Sequence, residues 1–454
     1  MKDLSTGSIP GHVTSMSIQM AIGILVQTLY FFVDLYFVSK LGDSVIAGVT
    51  SAGNIWFVVL ALTQVLNVGT VALVSNAVGA QQRDRANLIF NQSLVLSGAT
   101  ALFVFVGVYL AAEPYMRMVG ADEATVRAGV DYLYWFAPGL GLQFAMVAMF
   151  ATLRGTGMVK PTMILQMITV FVNIILAPVL IAGWGTGKPM GAAGAGLAST
   201  IAIVVGVVLS GYYFHTHEKY VGLQRELLRV QPAVWSRLLY IGLPVGLEFF
   251  LMSITMAFIY WLIRDFGAEA QAGFGVGQGV MRIIMLPAMA VAFASAPIAG
   301  QNFGARKPDR VRETFRWAVL ISVVIMVLET VLCQFESEFF MRIFTTEAAV
   351  IAVGAQMLVI SSWNFAANGI IFCCSSMFQA LGNTWPTIAS SALRLVLFIG
   401  PSLWLSTRPG FELVHIWYAS VASMTIQAVV SYTLMRREFA RKLEIAEMGT
   451  VPNS

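Results

Sequence analysis

The chain has 454 residues, 58% of them hydrophobic and only 11% charged, with a net charge of +4. Soluble domains carry about 25% charged residues, so a soluble globular protein is excluded, and the few cations sit in connectors rather than in a patch suited to nucleic acid. Apolar runs of twenty or more residues recur without strand-like alternation, so the fold class expected is an all-α, polytopic membrane protein embedded in a lipid bilayer.

The first dozen residues, MKDLSTGSIPGH, are polar. The apolar segment behind them is longer than a signal-peptide core and lacks a small-residue cleavage site, which predicts a retained membrane helix. Twelve spans are expected, near 14–38, 45–75, 88–111, 128–153, 161–183, 191–214, 238–263, 270–299, 315–334, 350–380, 385–405 and 413–435. With the N-terminus placed in the cytoplasm, 18 Lys and Arg fall on that side, counting Arg316 at the edge of the ninth span, and 7 on the other, and Arg282 and Arg394 lie inside spans. The positive-inside rule then predicts both termini in the cytoplasm and a cytoplasmic (inner) membrane location.

The sequence repeats itself at an offset of 225 residues. SNAVGAQQRDRANLIF from Ser75 aligns without gaps on GQNFGARKPDRVRETF from Gly300, matching Gly79 with Gly304, Asp84 with Asp309 and Phe90 with Phe315. The same offset pairs Gly42 with Gly267, Gly48 with Gly273, Gly157 with Gly382 and Pro161 with Pro386. Each half holds an even number of spans, so the halves are parallel repeats related by an axis along the membrane normal. The division expected is an N-terminal six-helix lobe at 1–216, a linker at 217–237, a C-terminal six-helix lobe at 238–435 and a tail at 436–454. Leu223, Leu227 and Leu228 predict a short helix lying on the membrane interface within the linker. Two bundles facing a central cleft is an architecture that transporters use for alternating access.

Enzyme chemistry finds no footing. Cys333, Cys373 and Cys374 lie in apolar runs without metal-ligand spacing, the four histidines are scattered, and no phosphate-binding glycine loop is complete. No cofactor and no metal are expected.

The polar residues inside spans carry the functional argument. In span one, Gly23, Gln27, Tyr30 and Asp34 recur at steps of four, three and four, which places them on one helix face. Burying a carboxylate in hydrocarbon costs several kcal/mol unless it is paired or neutralised. Protonation is the simplest neutralisation, because burial disfavours the charged form. Glu248, four residues after Pro244, is the second buried acid, and the proline predicts a local kink. The repeat maps Glu248 onto Gly23, three turns from Asp34 on the same face, so the two acids differ in depth by about 16 Å. Arg282 shares a face with Gln271 and Gln278 and has Glu248 as a candidate partner. Asn364 and Asn368 begin a polar stripe on span ten that Ser375 and Gln379 continue. Aromatic and Met side chains near these positions, such as Tyr30, Phe144, Met146 and Met252, suit varied apolar or cationic small molecules.

These features resemble the multidrug and toxic compound extrusion (MATE) family over nearly the whole chain. The resemblance rests on VDLYFVSKLG in span one, the paired VSNAVGAQQRDRA and AGQNFGARKPDRVR, LRGTGMVKP after span four and GLPVGLE opening span seven. It implies twelve helices in two lobes and export of drugs or organic cations, driven by inward flow of protons or sodium. It also implies that Asp34 is the coupling acid, with Asn173 and Thr200 as assisting polar positions. Gln27, Tyr30, Glu248, Arg282, Asn364 and Asn368 remain candidates for substrate or ion contact. Where many members carry an aspartate four residues after that asparagine, this chain has Ala177, and no acid lies between Glu347 and Glu412. The single buried acid of the N-terminal lobe favours proton coupling. A sodium-coupled drug antiporter and a lipid-linked precursor flippase of related architecture are the alternatives. A monomer is expected.

Overall fold

In hydrocarbon every backbone N–H and C=O must be satisfied within its own segment, and helices do this. A computed structural model describes the backbone of residues 1–120 and 122–447, and the side chains of the same residues except 29–35 and 444–447. Its helices are α1 (Ile9–Ser39), α2 (Asp43–Gly79), α3 (Arg83–Val119), α4 (Glu123–Gly155), α5 (Val159–Ile181), α6 (Ala192–Thr216), α7 (Pro232–Ile263), α8 (Ala268–Ile284), α9 (Leu286–Gly304), α10 (Pro308–Arg342), α11 (Ala348–Ser361), α12 (Asn364–Ala380), α13 (Trp385–Ser406) and α14 (Leu413–Glu447). Single 3-10 turns occupy Arg225–Leu228 and Arg264–Phe266. The first stands where the linker helix was expected, but it is one turn long and Leu223 beside it is exposed.

Among the described residues, ten helices are long and apolar enough to cross a membrane. The pairs α8/α9 and α11/α12, bent by 42° and 57°, bring the number to twelve when each pair is counted as one span. The eighth and tenth spans are therefore broken rather than continuous. At the first break Pro287 opens α9, where its missing N–H is tolerated. At the second, α10 supplies the missing donors: Thr330 Oγ1 donates to the Ser362 carbonyl at 2.9 Å, and Gln334 Nε2 donates to the Val359 carbonyl at 2.6 Å. In α7 the predicted kink at Pro244 does not divide the helix, which runs continuously through it. On the loop before α4, the Asp122 carboxylate accepts the Thr125 N–H at 2.7 Å, and that bond holds it below the usual carboxylate range.

The duplication is written in the backbone. Gly42 and Gly267, at the same place in the two halves, have φ of 105° and 91°. Glycine adopts this conformation without steric cost. Gln81 and Arg306, also equivalent, are the positive-φ non-glycine residues among those described, at 58° and 55°. The same corner bonds close each turn, from the Gln82 N–H to the Ala77 carbonyl and from the Lys307 N–H to the Asn302 carbonyl, both at 2.9 Å.

The chain forms two compact units, and beyond the break after Asp3 the divisions fall inside α1 and α7 rather than in the segments before them. The first comprises Met1–Asp3 and Ile22–Gly242; the second comprises Leu4–Ala21 and the chain from Leu243 onward. The stretch 217–237, expected as a linker, lies within the first of these units. In the first unit, buried amides on α3 hold the segment leading into α7. Asn87 accepts from the Gly222 N–H at 2.9 Å, Asn91 from the Gln224 N–H at 2.9 Å and Gln92 from the Gln231 N–H at 2.9 Å. In the second, Leu4 is fully buried; its N–H donates to Gln301 Oε1 at 2.9 Å and its carbonyl accepts from Asn302 Nδ2 at 3.1 Å. Residues after 435, expected as a tail, continue α14 as helix to Glu447.

Within the first unit the start of α7 meets α2 backbone to backbone. A Cβ on Gly242 would stand 2.0 Å from the Val65 carbonyl oxygen, and one on Gly69 2.5 Å from that of Leu238. Small residues permit such close packing between membrane helices. Gly242→Val is expected to destabilise the protein by about 1–3 kcal/mol, the range for overpacking. Thermal unfolding of purified protein in detergent measures this, and an unchanged midpoint would show that the crossing does not stabilise the fold.

Candidate functional site

In the first unit, the polar candidates sit where α5 meets α6. Asn173 is fully buried, and its Nδ2 donates to Ser199 Oγ at 3.2 Å. Its Oδ1 is buried with no hydrogen-bond partner among the described residues. Whichever way the amide is turned, one end is left over, and an orphaned buried polar atom costs about 1–3 kcal/mol. Thr200, next to Ser199, turns the other way and donates to the Trp135 carbonyl at 2.6 Å. Gly139 on α4 permits this, since a Cβ there would stand 2.8 Å from Thr200 Oγ1. Ala177, one turn after Asn173, is fully buried, and Pro178 follows it within α5. Proline has no N–H to give the Ile174 carbonyl, so the polarity of this helix face is partly backbone. The side chains of Tyr30 and Asp34 lie outside the described residues. Gln27, on the same helix, is exposed.

In the second unit, Glu248 is half-buried and belongs to a hydrogen-bonded chain across three helices. Gln427 Nε2 on α14 donates to Ser391 Oγ on α13 at 3.1 Å, and Ser391 donates to Glu248 Oε1 on α7 at 2.7 Å. Arg394, one turn after Ser391, is the cation whose charge acts on Glu248. Arg282, the partner considered from the sequence, is instead exposed on α8. Its long stem lets the guanidinium reach polar surroundings without a carboxylate. At the far end of the chain, Gln427 Oε1 is buried and has no partner among the described residues. Asn364, at the start of α12, is buried; its Nδ2 donates to Ser420 Oγ at 3.5 Å and its Oδ1 has no partner among the described residues. Asn368, one turn on, is half-buried.

Ser391 and Gln427 were not among the residues singled out from the sequence. A signal existed. Ser423, Gln427 and Ser431 recur at steps of four in an apolar span, and all three are buried.

The family model for MatE matches residues 20–179 and 244–404, one segment in each half of the repeat. The chain belongs to the MatE family. Among curated proteins it is similar to the probable multidrug resistance protein YoeA of Bacillus subtilis, 23% identical over 399 residues that cover 86% of each chain. The FAD transporter of Shewanella oneidensis is 22% identical over 408 residues, covering 88% of this chain and 89% of that one. The multidrug export protein MepA of Staphylococcus aureus is 24% identical over 388 residues, covering 84% of each. Among solved structures, a MOP superfamily transporter from Pyrococcus furiosus superimposes with a TM-score of 0.90 at 23% identity, covering 97% of this chain and 98% of that one. That likeness gives the twelve-helix MATE fold. Members of the MatE family are transporters, so this chain is a multi-pass membrane transporter and not an enzyme. The matched segments contain Asp34, Asn173, Glu248, Asn364 and Asn368, and stop short of Thr200.

Proposed function

We propose that the protein is a cation-coupled multidrug efflux antiporter, exporting organic and often cationic compounds by alternating access, with Asp34 as the coupling acid and protons as the driving ion. It acts in the cytoplasmic membrane with both termini inside. Of the relatives named above, one is a multidrug export protein and one a probable multidrug resistance protein by name, and each matches this chain over most of its length. The observation that carries the reading is the buried end of the Asn173 amide, on the α5 side of its bond to Ser199, that has no partner among the described residues. A protonated carboxyl is the simplest group able to satisfy it, as donor to its oxygen or acceptor from its nitrogen. Glu248 takes a binding role, offering negative charge to a cationic substrate. Asn364, Asn368, Gln27 and Tyr30 contribute polar and aromatic contacts.

Efflux of ethidium, a fluoroquinolone and flavin adenine dinucleotide from proteoliposomes under an imposed ion gradient tests this reading. Gradient-driven movement of ethidium or the fluoroquinolone supports it. Movement of the dinucleotide alone, or of none of the three, rejects it. Glu248→Gln keeps the shape and the bond to Ser391 but removes the charge. It is expected to raise the apparent KM for cationic substrates on the order of tenfold, the scale of one hydrogen bond to a charged group. Neutral substrates should change little. If no substrate is affected, Glu248 is structural.

A further inference from the structure

One face of α14 grades from apolar to hydroxyl-bearing to cationic along its length. Ile426 and Val429 are 44% and 62% exposed, Tyr432 is 43% exposed, and Thr433, Arg436 and Arg437 follow, also exposed. Steps of three and four keep all six on one side of the helix. The opposite side is buried and carries Gln427, Ser431 and Glu438. Phe315 of α10 packs against the Tyr432 ring at 6.1 Å, so exposed Arg316 follows directly at the border of this face.

Five other cations at this end of the second unit are engaged, while Arg306 and Arg316 are exposed. Arg441 and Lys442 meet Glu438 at 2.8 and 3.3 Å, Lys307 donates to the Ser5 carbonyl at 2.8 Å, Arg310 to Asn302 Oδ1 at 2.8 Å, and Arg312 pairs with Asp309 at 3.0 Å. Among the described residues, no hydrogen bond or ion pair uses the side chain of Arg436 or Arg437. A cleft of about 330 Å³ is lined by Tyr432, Thr433, Arg436, Arg437 and Ala440.

We propose that this face binds an anionic phospholipid. The paired guanidiniums take the phosphate, for which their planar donor forks are suited. The Tyr432 hydroxyl donates to a headgroup or ester oxygen. Thr433 gives its proton to the Val429 carbonyl at 2.8 Å, so its lone pairs are left to accept from a headgroup hydroxyl. One acyl chain runs along Val429 and Ile426. A soluble phosphate ester has no use for the apolar track. A zwitterionic headgroup brings a cation against two arginines. The residues therefore select a lipid that is both anionic and hydroxyl-bearing, of which phosphatidylglycerol is the simplest.

Native mass spectrometry of the full-length protein in detergent tests this, titrating phosphatidylglycerol against phosphatidylcholine of the same acyl chains. Arg436→Gln combined with Arg437→Gln removes the proposed site. Arg225→Gln combined with Arg229→Gln removes the same charge from the linker. The expected result is a preference for phosphatidylglycerol that falls on the order of tenfold or more in the first double variant and stays in the second, since each arginine near the surface is worth a factor of about five and the two together exceed tenfold. Equal losses in both variants, no preference in the unaltered protein, or displacement of the lipid by inorganic phosphate alone would each overturn the site.

Discussion

Asp34→Asn is expected to reduce gradient-driven efflux to the background of empty liposomes while the protein still inserts and folds. The substitution keeps the size and planarity of the side chain and removes the proton that can be taken up and released. A carboxylate in hydrocarbon is costly unless it is neutralised or paired. A transporter can use that cost, because protonation state then governs which environment the side chain tolerates. The backbone of α1 is helical through this position, and asparagine breaks no helix. A thermal midpoint near that of the unaltered protein, measured beside ethidium efflux, separates lost coupling from lost folding. Near-normal coupled transport by a well-folded Asp34→Asn protein would defeat the assignment.

Much of the fold was legible because membrane helices obey a strong local rule. Twelve apolar segments with charged connectors can be read without tertiary knowledge. The repeat was legible through residues that hold special backbone geometry, such as Gly42 and Gly267, whose positive φ both halves need. The breaks were less visible. Pro287 is a plain signal in the eighth span, but Ser361–Ser362–Trp363 contains no glycine or proline, and the bend there is supported by Thr330 and Gln334 from another helix. Sequence spacing carries no record of that support. The hold of α3 on the segment leading into α7 was hidden for the same reason, since Asn87, Asn91 and Gln92 reveal their partners only once the chain is folded. At the candidate site, spacing found Glu248 but not its neighbours. Face periodicity joins residues on one helix, whereas Ser391 and Gln427 reach Glu248 from two others. Arg282 illustrates the converse, since two residues can each be polar within spans and still not meet.

Proton rather than sodium coupling is the second large expected result. A sodium ion needs several converging oxygen ligands, and negative charge offsets its dehydration. In the first unit, the Thr200 hydroxyl proton is directed to the Trp135 carbonyl. Asn173 has one amide end without a partner among the described residues. At position 177, where many family members carry a second carboxylate, a methyl group is buried instead. One acid with one amide suits a proton better than a metal ion, because a carboxyl group needs only a single partner once it is protonated. Ethidium efflux from proteoliposomes is therefore expected under a pH gradient in sodium-free buffer and is expected to be lost in Asp34→Asn. A sodium gradient at fixed pH should drive none. The opposing arrangement places sodium at Glu248, where the Ser391 hydroxyl and the Gln427 amide supply oxygens, but Arg394 sets a positive charge against it. Efflux driven by sodium at fixed pH, unaffected by a proton uncoupler and abolished by Glu248→Gln, would transfer the coupling role from Asp34 to that chain of side chains.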